Sequence, residues 1–175
     1  MHLLLKADMP RCIFPFYHAI SDVQIPHIHN LYSVKNTTSF IADLEFLLQH
    51  FLPISLTEFI ESDCGRKLEK PSFLLSFDDG LSEIYHVVAP ILQQYSIPAT
   101  VFLNSAFVNN KELFYRYKAS LLIDKIPEDK NRFLDIAYKE RGILDTRAAE
   151  IGLSFSHYLK ENTPYLTMNH IMELK

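Results

Sequence analysis

Two adjacent carboxylates follow an apolar run near the middle of this sequence. Residues 72–77 read Ser-Phe-Leu-Leu-Ser-Phe, and Asp78, Asp79 and Gly80 come directly after them. Such a run is typical of a parallel strand buried on both faces, and α/β proteins bind ligands beyond the carboxyl ends of parallel strands. The burial of a carboxylate is costly unless it is paired or bound to a metal. The pair therefore indicates a site where one carboxylate binds a metal and its neighbour faces a substrate.

A purely structural role for the same residues is the alternative. Asp79 or Ser82 would then cap the following helix, because their side chains accept hydrogen bonds from the free N–H groups of a helix N-terminus. Two carboxylates beside an apolar run favour a functional site over this capping role. Gly80 fits either interpretation, since it lets the backbone turn tightly.

Apolar runs and helical periodicity alternate through the first half of the chain. The sequence predicts strands over 11–17, 72–77 and 99–103, and helices over 40–51, 57–60 and 84–95, with Thr57 as a helix cap and Pro90 as a kink or break. Residues 73–103 are therefore expected to form a right-handed strand, helix, strand unit. From Lys111 onward the periodicity is helical, with Pro127 and Gly142 between the first helices and a start signal at Thr167.

Several of these blocks resemble one known family in order and spacing. Residues 73–80, 89–92 and 97–103 resemble the NodB-homology region of polysaccharide deacetylases, carbohydrate esterase family 4. Residues 16–20 resemble the Tyr-His that ends the first strand of many members. The resemblance implies an α/β fold, a partial distorted (β/α) barrel of the NodB type with a helical insertion, truncated before barrel closure.

The same resemblance divides the chain. Residues 1–175 are expected to form a single incomplete polysaccharide deacetylase domain. It contains a recognisable βα core over 11–108, a helical insertion over 109–164, and a helix over 165–175 that precedes the family's histidine motif. Unpaired edges of such a partial barrel are expected to favour self-association.

The resemblance also implies roles for individual residues. In the family, the first Asp of Phe-Asp-Asp-Gly is the catalytic base and the second is a metal ligand, which assigns these roles to Asp78 and Asp79. The implied reaction hydrolyses an N-acetyl group of a glycan to acetate and a free amine, with a divalent metal, zinc above all, as cofactor. His18 follows the first predicted strand on the same rim as Asp78, so it is a candidate for substrate binding, with a structural role as the alternative.

The histidines depart from the family pattern. The family completes its metal site with His-Ser/Thr-x-x-His, whereas none of the eight histidines here has a partner four residues away. The missing ligands are expected just beyond Lys175, and this chain is expected to be inactive or weakly active. His27 and His29 lie in a predicted loop, and the isolated histidines of the helical patterns are not expected to be ligands: His86, His157 and His170.

Two other functions stay open at this stage. A non-catalytic carbohydrate-binding or assembly module would retain the fold without the metal-binding histidines. A phosphatase of the haloacid-dehalogenase type also places carboxylates after an apolar strand, but its two aspartates are separated by one residue, so it is disfavoured.

Composition restricts the classes of binding partner and the location that we expect. The net charge of −4 comes without a run of Lys or Arg, which argues against nucleic acid. No stretch is long enough to span a membrane, and the apolar part of Met1–Lys6 is too short for a signal peptide. The chain as written is therefore expected in the cytoplasm, with an envelope location open where the N-terminus is incomplete. Cys12 and Cys64 belong to no C-x-x-C pair and are expected to be reduced.

Overall fold

Short parallel strands alternate with helices over the residues that the structure, a computed structural model, describes: 11–126 and 129–174. The strands are β1 (Cys12–Ile13), β2 (Phe16–Tyr17), β3 (Leu52–Pro53), β4 (Ser72–Phe73), β5 (Leu75–Phe77) and β6 (Ala99–Val101). They form two three-stranded sheets, ordered β1-β4-β3 and β2-β5-β6. The α/β class is confirmed, and within these ranges the strands do not close into a barrel. The predictions for Met1–Lys6, Pro127 and Lys175 lie outside the described residues.

Eight α-helices fall within the described ranges. They are α1 (Thr37–His50), α2 (Leu56–Glu61), α3 (Ala89–Tyr95), α4 (Tyr115–Ile123), α5 (Lys130–Lys139), α6 (Ile143–Glu150), α7 (Phe155–Asn162) and α8 (Met168–Glu173). None of these helices has the length and apolar character that a membrane crossing would need.

The runs 11–17 and 72–77, each predicted as one strand, are each divided into two short strands. The hydrogen bonds nevertheless continue along the line, with Leu74 N donating to Ile13 O at 3.0 Å and Ser76 N to Pro15 O at 3.1 Å. Pro15 therefore faces the partner strand, where its missing N–H removes one ladder bond and separates β1 from β2. The prediction of unbroken strands was wrong for this reason.

The helices near the site also begin differently from the prediction. Ser55, not Thr57, caps α2, and it forms a reciprocal capping box with Glu58. Pro90 does not split the predicted helix over 84–95: a π-helical turn over Ile84–Val88 runs directly into α3, whose first turn holds the proline. The π-helical turn just before it shifts the backbone hydrogen bonds, with Ala89 N donating to Ile84 O, and so accommodates the N–H that proline lacks.

Two apolar cores support the fold. One joins β5 to α1 and α3, and includes Phe40, Phe77 and Val88. The other gathers α4 to α7 around Tyr117 and extends to Leu81, next to the carboxylate pair. The helical segment is thus packed directly against the end of β5.

Helix α1 provides a matched test of the first core. Phe40 is fully buried and makes an edge contact with Tyr17, whereas Phe46 on the same helix is 58% exposed. We expect Phe40→Ala to lower the free energy of unfolding by about 3–5 kcal/mol. Phe46→Ala is expected to change it by roughly 0.5 kcal/mol or less. Urea denaturation followed by circular dichroism measures both, and equal losses would contradict this packing.

Candidate active site

A tight turn ends β5 and holds both carboxylates. Asp78 N donates to Tyr17 O at 3.0 Å, which continues the ladder between β2 and β5, and Gly80 N donates to Asp78 O at 2.9 Å. Asp79 and Gly80 both have a φ of 67°. Aspartate is among the few residues other than glycine that adopt this left-handed conformation readily. A Cβ on Gly80 would lie 2.6 Å from Cδ2 of Leu103, so the turn has little room for a larger residue.

A distant part of the chain holds this turn in place. Leu166 N donates to Gly80 O at 2.9 Å, and Leu81 forms an antiparallel bridge with Tyr165. Ser82 N also donates to Pro164 O at 2.9 Å. The segment before α8 therefore fixes the backbone of the carboxylate turn in addition to β2.

Asp79 makes one specific side-chain contact. Its Oδ2 accepts a hydrogen bond from the Tyr117 hydroxyl at 2.7 Å. Tyr117 is 1% exposed, and burial raises the pKa of its hydroxyl, with further contributions from Tyr32 and Asp79. The phenol is therefore a protonated donor. The helical turn at Ile84 has no side-chain cap, so the alternative of Asp79 or Ser82 as a helix cap is not observed.

Asp78 and His18 lie at the same edge of the sheet. Tyr17 pairs with Phe77, so the residues that follow these two strands are neighbours, as the sequence predicted for the rim. Asp78 is half-buried, and no side chain of the described residues donates to its carboxylate. The His18 ring is 6.0 Å from that of Phe16 and 5.4 Å from that of Tyr32. Its role in substrate binding stays a prediction.

The sequence missed a second group of polar side chains beneath the turn. His27 is 3% exposed, and its Nδ1 lies 2.9 Å from the Tyr158 hydroxyl. Burial lowers the pKa of His27 to about 4 and raises that of Tyr158 to about 12. Burial also raises the pKa of Glu83. His27 falls in a segment without periodicity, so nothing in its local sequence marked it as buried.

The described residues do not supply a complete metal site. Over 11–126 and 129–174, no three His, Cys, Asp or Glu side chains are grouped closely enough to hold an ion. Asp79 would fit the part of one carboxylate ligand, since it is half-buried at the end of a strand and its hydrogen bond from a described side chain engages Oδ2 and not Oδ1. His86 and His170, predicted to be isolated, are neighbours with ring centroids 5.3 Å apart, because α8 packs beside the π-helical turn.

One known family matches part of this chain. Residues 65–131 match the family model described as polysaccharide deacetylase. The matched residues include Asp78 and Asp79 and extend past Val108 as far as the start of α5; they do not include His18. This match confirms the resemblance predicted from the sequence over the residues that it covers. A search of curated proteins gave no match.

Solved structures of several deacetylases are similar to this chain. The de-N-acetylase of Aggregatibacter actinomycetemcomitans is 19% identical, with a TM-score of 0.48 over 65% of this chain and 51% of its own. The Streptococcus pyogenes deacetylase PplD is 21% identical, with a TM-score of 0.49 over 62% and 50%. IcaB from Ammonifex degensii is 19% identical, with a TM-score of 0.49 over 65% and 49%. The chain therefore spans about half the length of these proteins, and the family match supports the argument below.

His27 links stability to pH. Its folded-state pKa of about 4 lies below the ordinary value near 6.5, so the unfolded chain binds the proton more tightly. The stability that depends on neutral His27 is fully present above pH 6.5 and is lost as the pH falls towards 4. The total loss in the free energy of unfolding is roughly 3 kcal/mol. Glu83 acts in the opposite direction, because burial raises its pKa.

A comparison of variants isolates the contribution of His27 to the pH dependence of stability. His27→Gln cannot take up the proton, so its free energy of unfolding should fall less between pH 7 and pH 4.5 than that of the wild type. His157→Gln is the control, since His157 is 69% exposed. Urea denaturation at the two pH values measures this. The same pH dependence for wild type and His27→Gln would show that His27 is not buried in its neutral form.

Proposed function

We propose that this chain supplies the catalytic base and one metal ligand of a metal-dependent carbohydrate de-N-acetylase. The observation that supports this most strongly is the Asp78-Asp79-Gly80 turn at the carboxyl end of β5, inside the segment that matches the polysaccharide deacetylase family. The substrate would be an N-acetylated glycan, and the reaction would release acetate and leave a free amine.

The two carboxylates have different surroundings, which fits two different roles. Asp78 has no hydrogen-bond donor among the described side chains, so its carboxylate is available to accept a proton from the attacking water. Asp79 is held by Tyr117 and would bind the metal, which polarises the acetyl carbonyl when present. His18, at the same edge, would contact the sugar.

Zinc titration tests the role of Asp79. One carboxylate and water molecules cannot match a site with three or four protein ligands, so we expect weak binding, with a Kd above about 1 µM. Isothermal titration should show that Asp79→Asn abolishes this binding. Asp124→Asn should preserve it, because Asp124 is exposed and pairs with His29 elsewhere. Submicromolar affinity that Asp79→Asn abolishes would refute an incomplete site, and binding that survives Asp79→Asn would refute the ligand role.

Glycan titration separates the enzyme from a non-catalytic binding module. With oligomers of N-acetylglucosamine as the probe, the deacetylase proposal predicts that zinc strengthens binding and that Asp79→Asn removes this effect. Any acetate released should disappear in Asp78→Asn. Saturable binding without metal, unchanged in Asp79→Asn, would instead favour the binding module.

We also propose that the chain self-associates through its open sheet edge. Strand β6 is an edge strand among the described residues, and an apolar groove of about 450 Å³ lies beside it, lined in part by Val88, Leu92, Val101 and Leu174. Edge strands next to apolar surface are templates for pairing. Sedimentation velocity should show a larger species as concentration rises, and a monomer at every concentration would contradict this.

A further inference from the structure

We propose that Tyr117 is a positioning residue for Asp79, and that its hydroxyl fixes the carboxylate so that Oδ1 is left to a divalent cation. The inference rests on the ligand role proposed above for Asp79. It extends the site into α4, in the helical segment predicted over 109–164, for which the sequence pattern indicated only packing.

The hydrogen bond is directional and strong for its type. The Tyr117 hydroxyl donates to Asp79 Oδ2 over 2.7 Å, and Tyr117 is 1% exposed, so water does not compete for this hydrogen bond. A hydrogen bond to a charged acceptor is roughly twice as strong as one between neutral groups. It restricts rotation of the carboxylate, which otherwise has equivalent lone pairs on two oxygens.

Both partners are themselves held firmly. The Tyr117 ring lies 5.1 Å from that of His27 and 5.4 Å from that of Phe114, measured between centroids. At the other end, the left-handed backbone of Asp79 is fixed by the bonds of Gly80 to Asp78 and Leu166. A ligand whose supporting residues are rigid loses little further freedom when an ion binds.

This arrangement predicts the effect of losing the hydroxyl. Partners that hydrogen-bond to a metal ligand typically account for about 10- to 100-fold in metal affinity. Tyr117→Phe removes one oxygen atom and retains the ring that packs in the core, so the fold should persist. Tyr158→Phe is the matched control, because it also removes a half-buried hydroxyl, one that faces His27 instead of Asp79.

Manganese is the probe, since Mn²⁺ prefers oxygen ligands and broadens nearby NMR signals even when it binds weakly. We would titrate the full chain with Mn²⁺ up to millimolar concentrations and follow the amide signals of Gly80 and Leu81. We expect the midpoint of broadening to rise about ten-fold in Tyr117→Phe. In Tyr158→Phe it should rise less than about two-fold. The urea concentration at half-unfolding should fall by a similar small amount in both variants.

Each remaining outcome is decisive. A midpoint in Tyr117→Phe that equals or falls below that of the wild type, while Asp79→Asn abolishes broadening, would overturn the positioning role and leave the proposed function intact. The hydrogen bond would then serve only to attach the helical segment. If the Gly80 signal of the wild type does not broaden, or if it still broadens in Asp79→Asn, the ligand role of Asp79 is refuted. The inference about Tyr117 then fails with it.

Discussion

The turn that ends β5 is the constraint on which the rest of the site depends. Asp79 and Gly80 both adopt a left-handed backbone conformation, and a Cβ on the glycine would lie 2.6 Å from Leu103 Cδ2. Such a conformation persists only where the surroundings determine it. Here a parallel strand and the segment around Leu166 both hold the turn. Two adjacent carboxylates consequently face different environments.

The helical segment completes those environments. Its core surrounds Tyr117 and reaches Leu81, so the packing of α4 to α7 reaches the neighbourhood of the carboxylate pair. This gives α4 a role beyond covering the sheet: it provides a buried donor to Asp79, whereas no side chain in the described part of the chain donates to Asp78. Different partners for neighbouring acids are a common way for one site to separate a ligand from a base.

The sequence predicted the local part of this arrangement well. The apolar run before Asp78 and the periodicity of α1 each reflect burial along one strand or helix. The local sequence is enough to predict such burial. The break at Pro15 depends on which residues face the neighbouring strand, which the sequence alone does not give. The pairing of Tyr117 with Asp79 joins residues 38 positions apart, and only the packed structure shows that their side chains meet. The burial of His27 and the contact between His86 and His170 likewise depend on packing that the sequence alone does not record.

The central claim is that Asp79 is a cation ligand and Asp78 is not. X-ray diffraction from crystals of this chain soaked in zinc, collected on both sides of the zinc absorption edge, tests it most directly. The account predicts an anomalous peak about 2.0–2.2 Å from an oxygen of Asp79, with the Tyr117 hydroxyl still bonded to the other oxygen. A peak on Asp78 alone, or none at this turn when zinc is bound elsewhere, would contradict it.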